Sequence, residues 1–349
     1  MGIIKIPQKA IAHFEENYSE IFSTGELAEG KWNRRVGEWT KNYTGVQGAV
    51  AVGSNGSGIF TILSLLKRYR GYKYVFLQSN TMYGVKTMSL SAGLEISGYV
   101  DCGLDTLMPT FQNFKKFALQ LDNPSKHIFL LTHIGGWVNP DIKKIANFCK
   151  EIGIALVEDC AHSFGSTLNG EHTGTFGDAG GYSLYATKAV SAGEGGVIVS
   201  NDEELAELAS RFIIYDRFSQ ELDVGINLRM SEISALLAYS VLNSIEEIIS
   251  NKYMISDKYI QACEKAGLEY YEPKINGQRS NLYKFILIAR DDQHQKKIDQ
   301  IKTRTSTIYD YSLGNDPENI CNRHICLPIW YDLDSETINQ VLSEIKNIK

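Results

Sequence analysis

The chain has 349 residues, 43% of them apolar and 22% charged, with 30 glycines and only 7 prolines. That composition excludes a disordered, collagenous or membrane-embedded chain, and the length allows two domains or one large α/β unit with ample core. Basic residues number 35 against 41 acidic ones, a net charge of -6; this excludes a general nucleic-acid backbone binder but leaves room for a local basic pocket.

The N-terminus lacks the basic, apolar and small-residue blocks of a secretory signal. No apolar run approaches the roughly 20 residues needed to cross a bilayer, so no membrane partner is expected. The six cysteines are scattered without a CxxC pair, which argues against a disulfide framework. Cys321, His324 and Cys326 stand close together but no second ligand pair follows, so no metal site is expected. A cytoplasmic protein is the expectation.

From the N-terminus, strand patterns fall at 49–53, 74–78, 94–100, 127–134, 154–159, 181–185 and 196–200. Several are continuous apolar runs, as in a sheet buried on both faces. Amphipathic helices lie between them. Ile59, Ile62, Leu63 and Leu66 share one face, as do Ile142, Ile145, Ala146 and Cys149. The second helix is predicted to open at Asn139-Pro140 and to close near Gly153. This alternation predicts a doubly wound α/β domain with a mostly parallel sheet. After about 230 the pattern changes to a long helical stretch over 231–266, a strand at 283–289, a charged helix over 291–302 and a closing helix over 335–348. A large domain over 1–250 and a smaller C-terminal α+β domain over 251–349 are expected.

Four local features carry chemistry. Gly53-Ser54-Asn55-Gly56-Ser57-Gly58 leaves a strand and enters a helix, where free amides and the helix dipole favour an anion. It is neither a Walker loop nor a G-x-G-x-x-G turn, and alone it reads equally as a tight turn. Asp159, in Val157-Glu158-Asp159-Cys160-Ala161-His162, stands at the carboxyl end of an apolar strand, where open α/β sheets bind ligands; alone it reads as a helix cap. Lys188 follows the strand carrying Ser183 and precedes Gly193-Glu194-Gly195-Gly196, though most lysines are simply solvated. Asn227-Leu228-Arg229-Met230-Ser231-Glu232 opens a helix. Together they fit one cofactor. Pyridoxal 5'-phosphate needs a phosphate cup, supplied by Gly56 and Ser57 with Ser183 as a further donor. It needs a carboxylate on its ring nitrogen, Asp159, and a lysine, Lys188, that forms a Schiff base and then serves as general base.

In order, Ser54-Asn55-Gly56-Ser57, Thr132-His133, Glu158-Asp159-Cys160-Ala161, Gly174-Thr175-Phe176-Gly177-Asp178-Ala179, Ser183-Leu184-Tyr185-Ala186-Thr187-Lys188, Gly193-Glu194-Gly195-Gly196 and Asn227-Leu228-Arg229-Met230 resemble the motifs of the DegT/StrS-type sugar aminotransferases, a branch of the fold-type I pyridoxal-phosphate enzymes. The resemblance runs from roughly residue 20 to 245. It implies a fold-type I large domain with a mostly parallel seven-stranded sheet and a homodimer with shared active sites, in which Asn227 reaches the cofactor phosphate of the partner subunit. Ala161 would lie against one face of the cofactor ring and His162 near its hydroxyl. Lysine at 188, where a related dehydrating group carries histidine, implies transamination from an amino acid, usually L-glutamate, to a keto group on a nucleotide-linked sugar. Met82 falls where the family stacks an aromatic residue on the ring. Gln78 takes a usual proline position, and Tyr283-Lys284-Phe285 stands where a histidine is common. Those departures motivate an alternative acceptor, a cyclitol or small phosphorylated ketone; a non-catalytic regulatory relative is the rival from another class. His133 reads equally as a core histidine or a cofactor neighbour. Trp32, Arg34 and Arg35 are candidates for a nucleotide contact, and Arg229 for an interface salt bridge.

Overall fold

Seven strands make the central sheet of the computed structural model, which describes residues 4–348. They are β1 (Gly48–Val52), β2 (Tyr74–Gln78), β3 (Glu95–Val100), β4 (His127–Thr132), β5 (Ala155–Asp159), β6 (Ala179–Ser183) and β7 (Gly196–Ser200). Across the sheet the order is β1-β7-β6-β5-β4-β2-β3. Strands β3, β2, β4, β5 and β6 run parallel, while β7 is reversed between β6 and β1. All seven predicted strands are present, with ends moved by no more than two residues. Strands β4 and β5 are buried along their whole length, the reason their sequences do not alternate.

Two helices, α1 (Gln8–Thr24) and α2 (Lys31–Thr44), precede the sheet; α3 (Asn55–Arg70), α4 (Tyr83–Ser91), α5 (Phe111–Ala118), α6 (Ile142–Ile152) and α7 (Glu203–Phe212) are interleaved with its strands. Period-two alternation sends Leu130 and Val157 to the face covered by α3, α4 and α7, and Phe129, Leu131 and Leu156 to the face covered by α5 and α6. The start of α6 differs from expectation. Asn139 caps a turn instead, its Oδ1 accepting from Asp141 N–H at 2.8 Å, and the helix begins beyond Asp141.

The long helical stretch is two helices, α8 (Glu232–Leu242) and α9 (Ile245–Ala266), bent by 55° at Asn243-Ser244. Trp39 Nε1 donates to Asn243 Oδ1 at 3.1 Å, which holds the break from outside the helix. Helix α9 passes through position 250 without interruption. A second sheet follows, antiparallel and in the order β8 (Glu269–Tyr270), β9 (Phe285–Ile288), β10 (His324–Leu327), with α10 (Asp292–Ile298) and α11 (Ser335–Lys346) beside it. Helix α10 ends earlier than the charge pattern predicts. One hydrophobic cluster joins Tyr182 and Val197 of the central sheet to Phe285 and Leu327 of the smaller one. A third set of two-residue strands pairs Gln278–Arg279 with Thr167–Leu168, tying the C-terminal part to the loop after β5. Among the described residues no single helix is long and apolar enough to cross a membrane. All six cysteines are free.

Candidate active site

The carboxyl ends of β5 and β6 meet the N-terminus of α3, and glycines allow the approach. A Cβ on Gly196 would stand 2.5 Å from Asn55 N, and one on Gly181 would stand 2.4 Å from Asn55 Oδ1; neither position tolerates a side chain. Ser54 caps α3, its Oγ accepting from Ser57 N–H at 3.0 Å and meeting Ser57 Oγ at 2.9 Å. The amides of the first helical turn therefore open beside β6 and β7, where Ser183 pairs in register with Gly196. Ser183 is buried, and its Oγ accepts from Tyr185 N–H at 3.3 Å.

Asp159, the last residue of β5, is 3% exposed. Its Oδ1 accepts from Asn55 Nδ2 at 2.8 Å and from Ala161 N–H at 3.0 Å. Burial pushes its carboxyl above the usual range, opposed by those two donors and by the charge of Lys188. Lys188 is partly exposed in the loop after β6, its Nζ 3.4 Å from Tyr283 Oη and 4.5 Å from the centre of that ring. The Tyr283 ring stacks on His162 at 4.3 Å with planes 22° apart. His162 Nδ1 is buried without a partner, and burial, with the Lys188 and Lys284 charges, holds the imidazole well below its usual pKa. Met82 is 46% exposed just ahead of α4, and Asn227 lies on the exposed segment before α8, hydrogen-bonded to neither Asp159 nor Lys188. Thus Gly56, Ser57, Asp159, Ala161, His162, Ser183 and Lys188 gather at the carboxyl end of the central strands, and Asn227 lies next to Leu228, whose carbonyl accepts from Gly53 N–H at 2.7 Å.

A model of the DegT/DnrJ/EryC1/StrS aminotransferase family matches residues 8–346. The chain belongs to that family. It is 26% identical to the GDP-perosamine synthase of Vibrio cholerae over 285 residues, 72% of this chain and 76% of the relative. It is 24% identical to the dTDP-4-dehydro-2,3,6-trideoxy-D-glucose 4-aminotransferase of Saccharopolyspora spinosa, over 94% and 92% of the two chains. Among solved structures, the fold matches the aminotransferase TlmJ from Streptoalloteichus hindustanus with a TM-score of 0.84 at 24% identity, over 99% of this chain and 97% of that one. It also matches DesI, solved in the presence of its TDP-sugar product, with a TM-score of 0.86 at 21% identity over 99% and 91%. This DegT-family chain is an aminotransferase, and its cofactor is pyridoxal phosphate.

The residues present fit that cofactor. Asp159 is a buried carboxylate whose two hydrogen bonds both go to Oδ1, so a cationic ring nitrogen has an unbonded Oδ2 to meet. The orphaned His162 Nδ1 is a second polar atom awaiting a partner.

Neighbouring polar groups are structural. Glu158, wholly buried, accepts from Gly174, Phe176 and Gly177 N–H and from His133 Nε2 at 2.7–2.9 Å. His133 Nδ1 in turn accepts from Asn139 N–H at 3.0 Å, so both ring nitrogens of this core histidine are satisfied. Although Cys160 joins these two in a cluster of metal-ligand types, the carboxylate is already saturated by donors. Both ring nitrogens of His324 are likewise engaged, with Ile320 O and Ile308 N–H. Trp32 is a core residue 1% exposed, under the Arg35 guanidinium, and Arg34 bonds to Glu29 O. Arg229 pairs with Glu29 of its own chain.

Two aromatic residues of the C-terminal part enter the site. Tyr283, which the sequence marked only as part of a departure from a common histidine, is one. Tyr309 is the other: its phenol lies against the Met82 backbone and close enough to Asp159 for that charge, after burial, to push its pKa well up. Its chain is held there because Leu313 N–H donates to Ser79 O at 2.9 Å and Tyr311 Oη accepts from Tyr83 N–H at 2.7 Å. An aromatic ring thus stands beside Met82, delivered from elsewhere in the chain.

Proposed function

We propose that the enzyme transfers an amino group from an amino acid, L-glutamate in the first instance, to the keto group of a nucleotide-linked sugar. Lys188 holds the cofactor covalently. The observation that carries this reading is the meeting of three groups at the carboxyl end of the central strands: the buried Asp159 carboxylate, the α3 amide cup and the Lys188 amine. Bound pyridoxal phosphate supplies an electron sink for the carbon that loses its proton. The amides of Gly56 and Ser57, with the Ser183 hydroxyl, receive the phosphate. Asp159 would keep the ring nitrogen protonated, Ala161 and Met82 would pack against the ring, and His162 would meet its hydroxyl. The Lys188 amine would hold the cofactor and, once released, would serve as the base that takes the proton from the substrate carbon.

The nucleotide link is supported by a cavity of about 1020 Å³ bordered by Thr187 and Tyr283 on the lysine side and by Lys284, Lys302, Arg304 and Trp330 beyond. Its size suits a substrate larger than a bare keto-sugar. Among the described residues Lys284 and Lys302 have no acidic partner, and Arg304 has Asp299 at 3.5 Å. That cationic lining suits a diphosphate. The same reading includes a large unit over 1–250, a smaller one over 251–349, and a cytoplasmic homodimer in which Asn227 serves the partner's phosphate cup. The exposed position of Asn227 supports that last role.

The test is the visible spectrum of purified protein loaded with pyridoxal phosphate, before and after L-glutamate, followed by turnover on a panel of ketones. A visible band that L-glutamate removes and a nucleotide-linked keto-sugar restores is expected. Restoration only by cyclitol ketones or small phosphorylated ketones overturns the acceptor, and no band at all overturns the role of Lys188.

A further inference from the structure

Tyr283 is held more firmly than a surface tyrosine needs to be. The residue before it, Leu282, has a left-handed backbone with φ 53°. Asn281 fixes that turn to the cofactor domain: its Nδ2 donates to the carbonyls of His162 at 3.0 Å and Phe164 at 2.9 Å, while its Oδ1 accepts from Tyr283 N–H at 2.8 Å. Behind it the buried Lys252 Nζ donates to the carbonyls of Leu282 at 3.2 Å and Asn281 at 3.4 Å. The ring is trapped between His162 and Lys188. Phenylalanine would satisfy all of that packing. What it would lack is the oxygen 3.4 Å from Lys188 Nζ.

The charged and titratable groups around Tyr283 are Lys188 from the loop after β6, Lys284 beside it, His162 from the loop after β5, and Tyr309 from the segment before β10. Burial raises the Tyr283 phenol, but the charges of Lys188 and Lys284 together with hydrogen bonds from Thr187 and Lys188 outweigh it, and the pKa falls below its ordinary value. Burial and the Asp159 charge drive Tyr309 the other way, and His162 stays neutral. Environments that push two like groups apart mark the one suited to proton exchange.

We propose that Tyr283 is a catalytic residue that exchanges one proton with Lys188 Nζ. In the exchange an N–H bond of the lysine ammonium breaks with its electron pair left on Nζ, and a tyrosinate lone pair forms the O–H bond. Ammonium and phenolate become amine and phenol with no change in net charge. The lone pair so freed lets Lys188 accept a proton from the substrate carbon, and the reverse transfer recharges it. The inference rests on the reading of Lys188 given above.

The first test uses cofactor-free protein and needs no turnover. The rate at which acetic anhydride acylates Lys188, read by mass spectrometry as a function of pH, should rise in two steps in the wild type, as for any strongly coupled pair. In Tyr283→Phe it should rise in one. In loaded enzyme, the single-turnover loss of the visible band with L-glutamate should slow by roughly 100-fold in that variant, the low end for a positioned acid or base. Should Tyr283→Phe fail to fold, 3-fluorotyrosine at 283 keeps the hydroxyl and should move the lower step to more acid pH. A one-step profile in the wild type, or a Tyr283→Phe rate within about threefold of wild type, overturns the proposal. The two readings fail separately. A two-step profile in a protein that captures no cofactor removes the function and leaves the pair, whereas a one-step profile in a protein that captures it removes the pair alone.

Discussion

Replacing Asn55 by alanine tests how the buried Asp159 carboxylate is held ionisable. Asn55 Nδ2 donates to Asp159 Oδ1 at 2.8 Å with both residues buried, and a hydrogen bond to a charged group contributes about 1.5–3 kcal/mol. Against this, Asn55 Oδ1 is buried without a partner, and deleting it removes a penalty of about 1 kcal/mol. Alanine is well suited to the first turn of α3. The net expected loss of stability is about 0.5–2 kcal/mol at neutral pH. The pH dependence separates this account from simple loss of packing. Burial raises the Asp159 pKa and the Asn55 amide is one of the groups restraining that rise, so the carboxyl moves further up in the variant. A carboxyl whose pKa is higher folded than unfolded contributes stability that is complete below the unfolded value and is lost as pH rises through the folded one. The variant loses more over that rise, so its deficit should be greatest at neutral pH and shrink in acid. Urea denaturation of cofactor-free protein at neutral and mildly acid pH measures it. A deficit that stays constant or grows in acid would refute the argument.

Lys188→Ala should leave stability within about 0.5 kcal/mol, since the side chain is partly exposed and its one hydrogen bond is 3.4 Å long; cofactor retention on gel filtration and turnover should both vanish, and a band surviving dialysis would count against the assignment. Glu158→Gln removes the charge that receives three backbone N–H groups and His133 and should cost about 3–5 kcal/mol in chemical denaturation; a loss under about 1 kcal/mol would show that Glu158 is not the anchor of the loop after β5. Burial lowers the Lys252 ammonium from 10.5 to about 7, so the stability it costs appears as pH falls from about 10.5 towards 7, to at most about 5 kcal/mol. Lys252→Met should therefore be more stable than wild type at pH ~7 and, having orphaned two carbonyls, less stable near pH ~10; equal losses at both would sink that reading.

The parts of this molecule that sequence resolves are those whose cause is local. Strands β4 and β5 declare themselves as unbroken apolar runs because both faces are covered. The break between α8 and α9 does not, because Ile and Leu continue at helical spacing through it and the interruption is held by Trp39, some 200 positions away. The site divides along the same line. Asp159 and Ser183 end strands, Gly56 and Ser57 begin a helix, and Lys188 follows a strand end by a few residues, so element boundaries alone bring them together. Tyr283 and Tyr309 reach the same place only because paired two-residue strands and the contacts of Leu313 and Tyr311 fold the C-terminal part across it. Met82 illustrates the consequence. Read along the chain it is a missing aromatic; in space Tyr309 stands beside it. The groups we propose for the cofactor are thus written in short motifs, whereas the cavity beside Tyr283 and the two phenols are assembled from distant segments. On the proposed reading, substitutions among those segments would alter the acceptor without disturbing a single motif, so the motifs point to the cofactor and leave the sugar to the cavity.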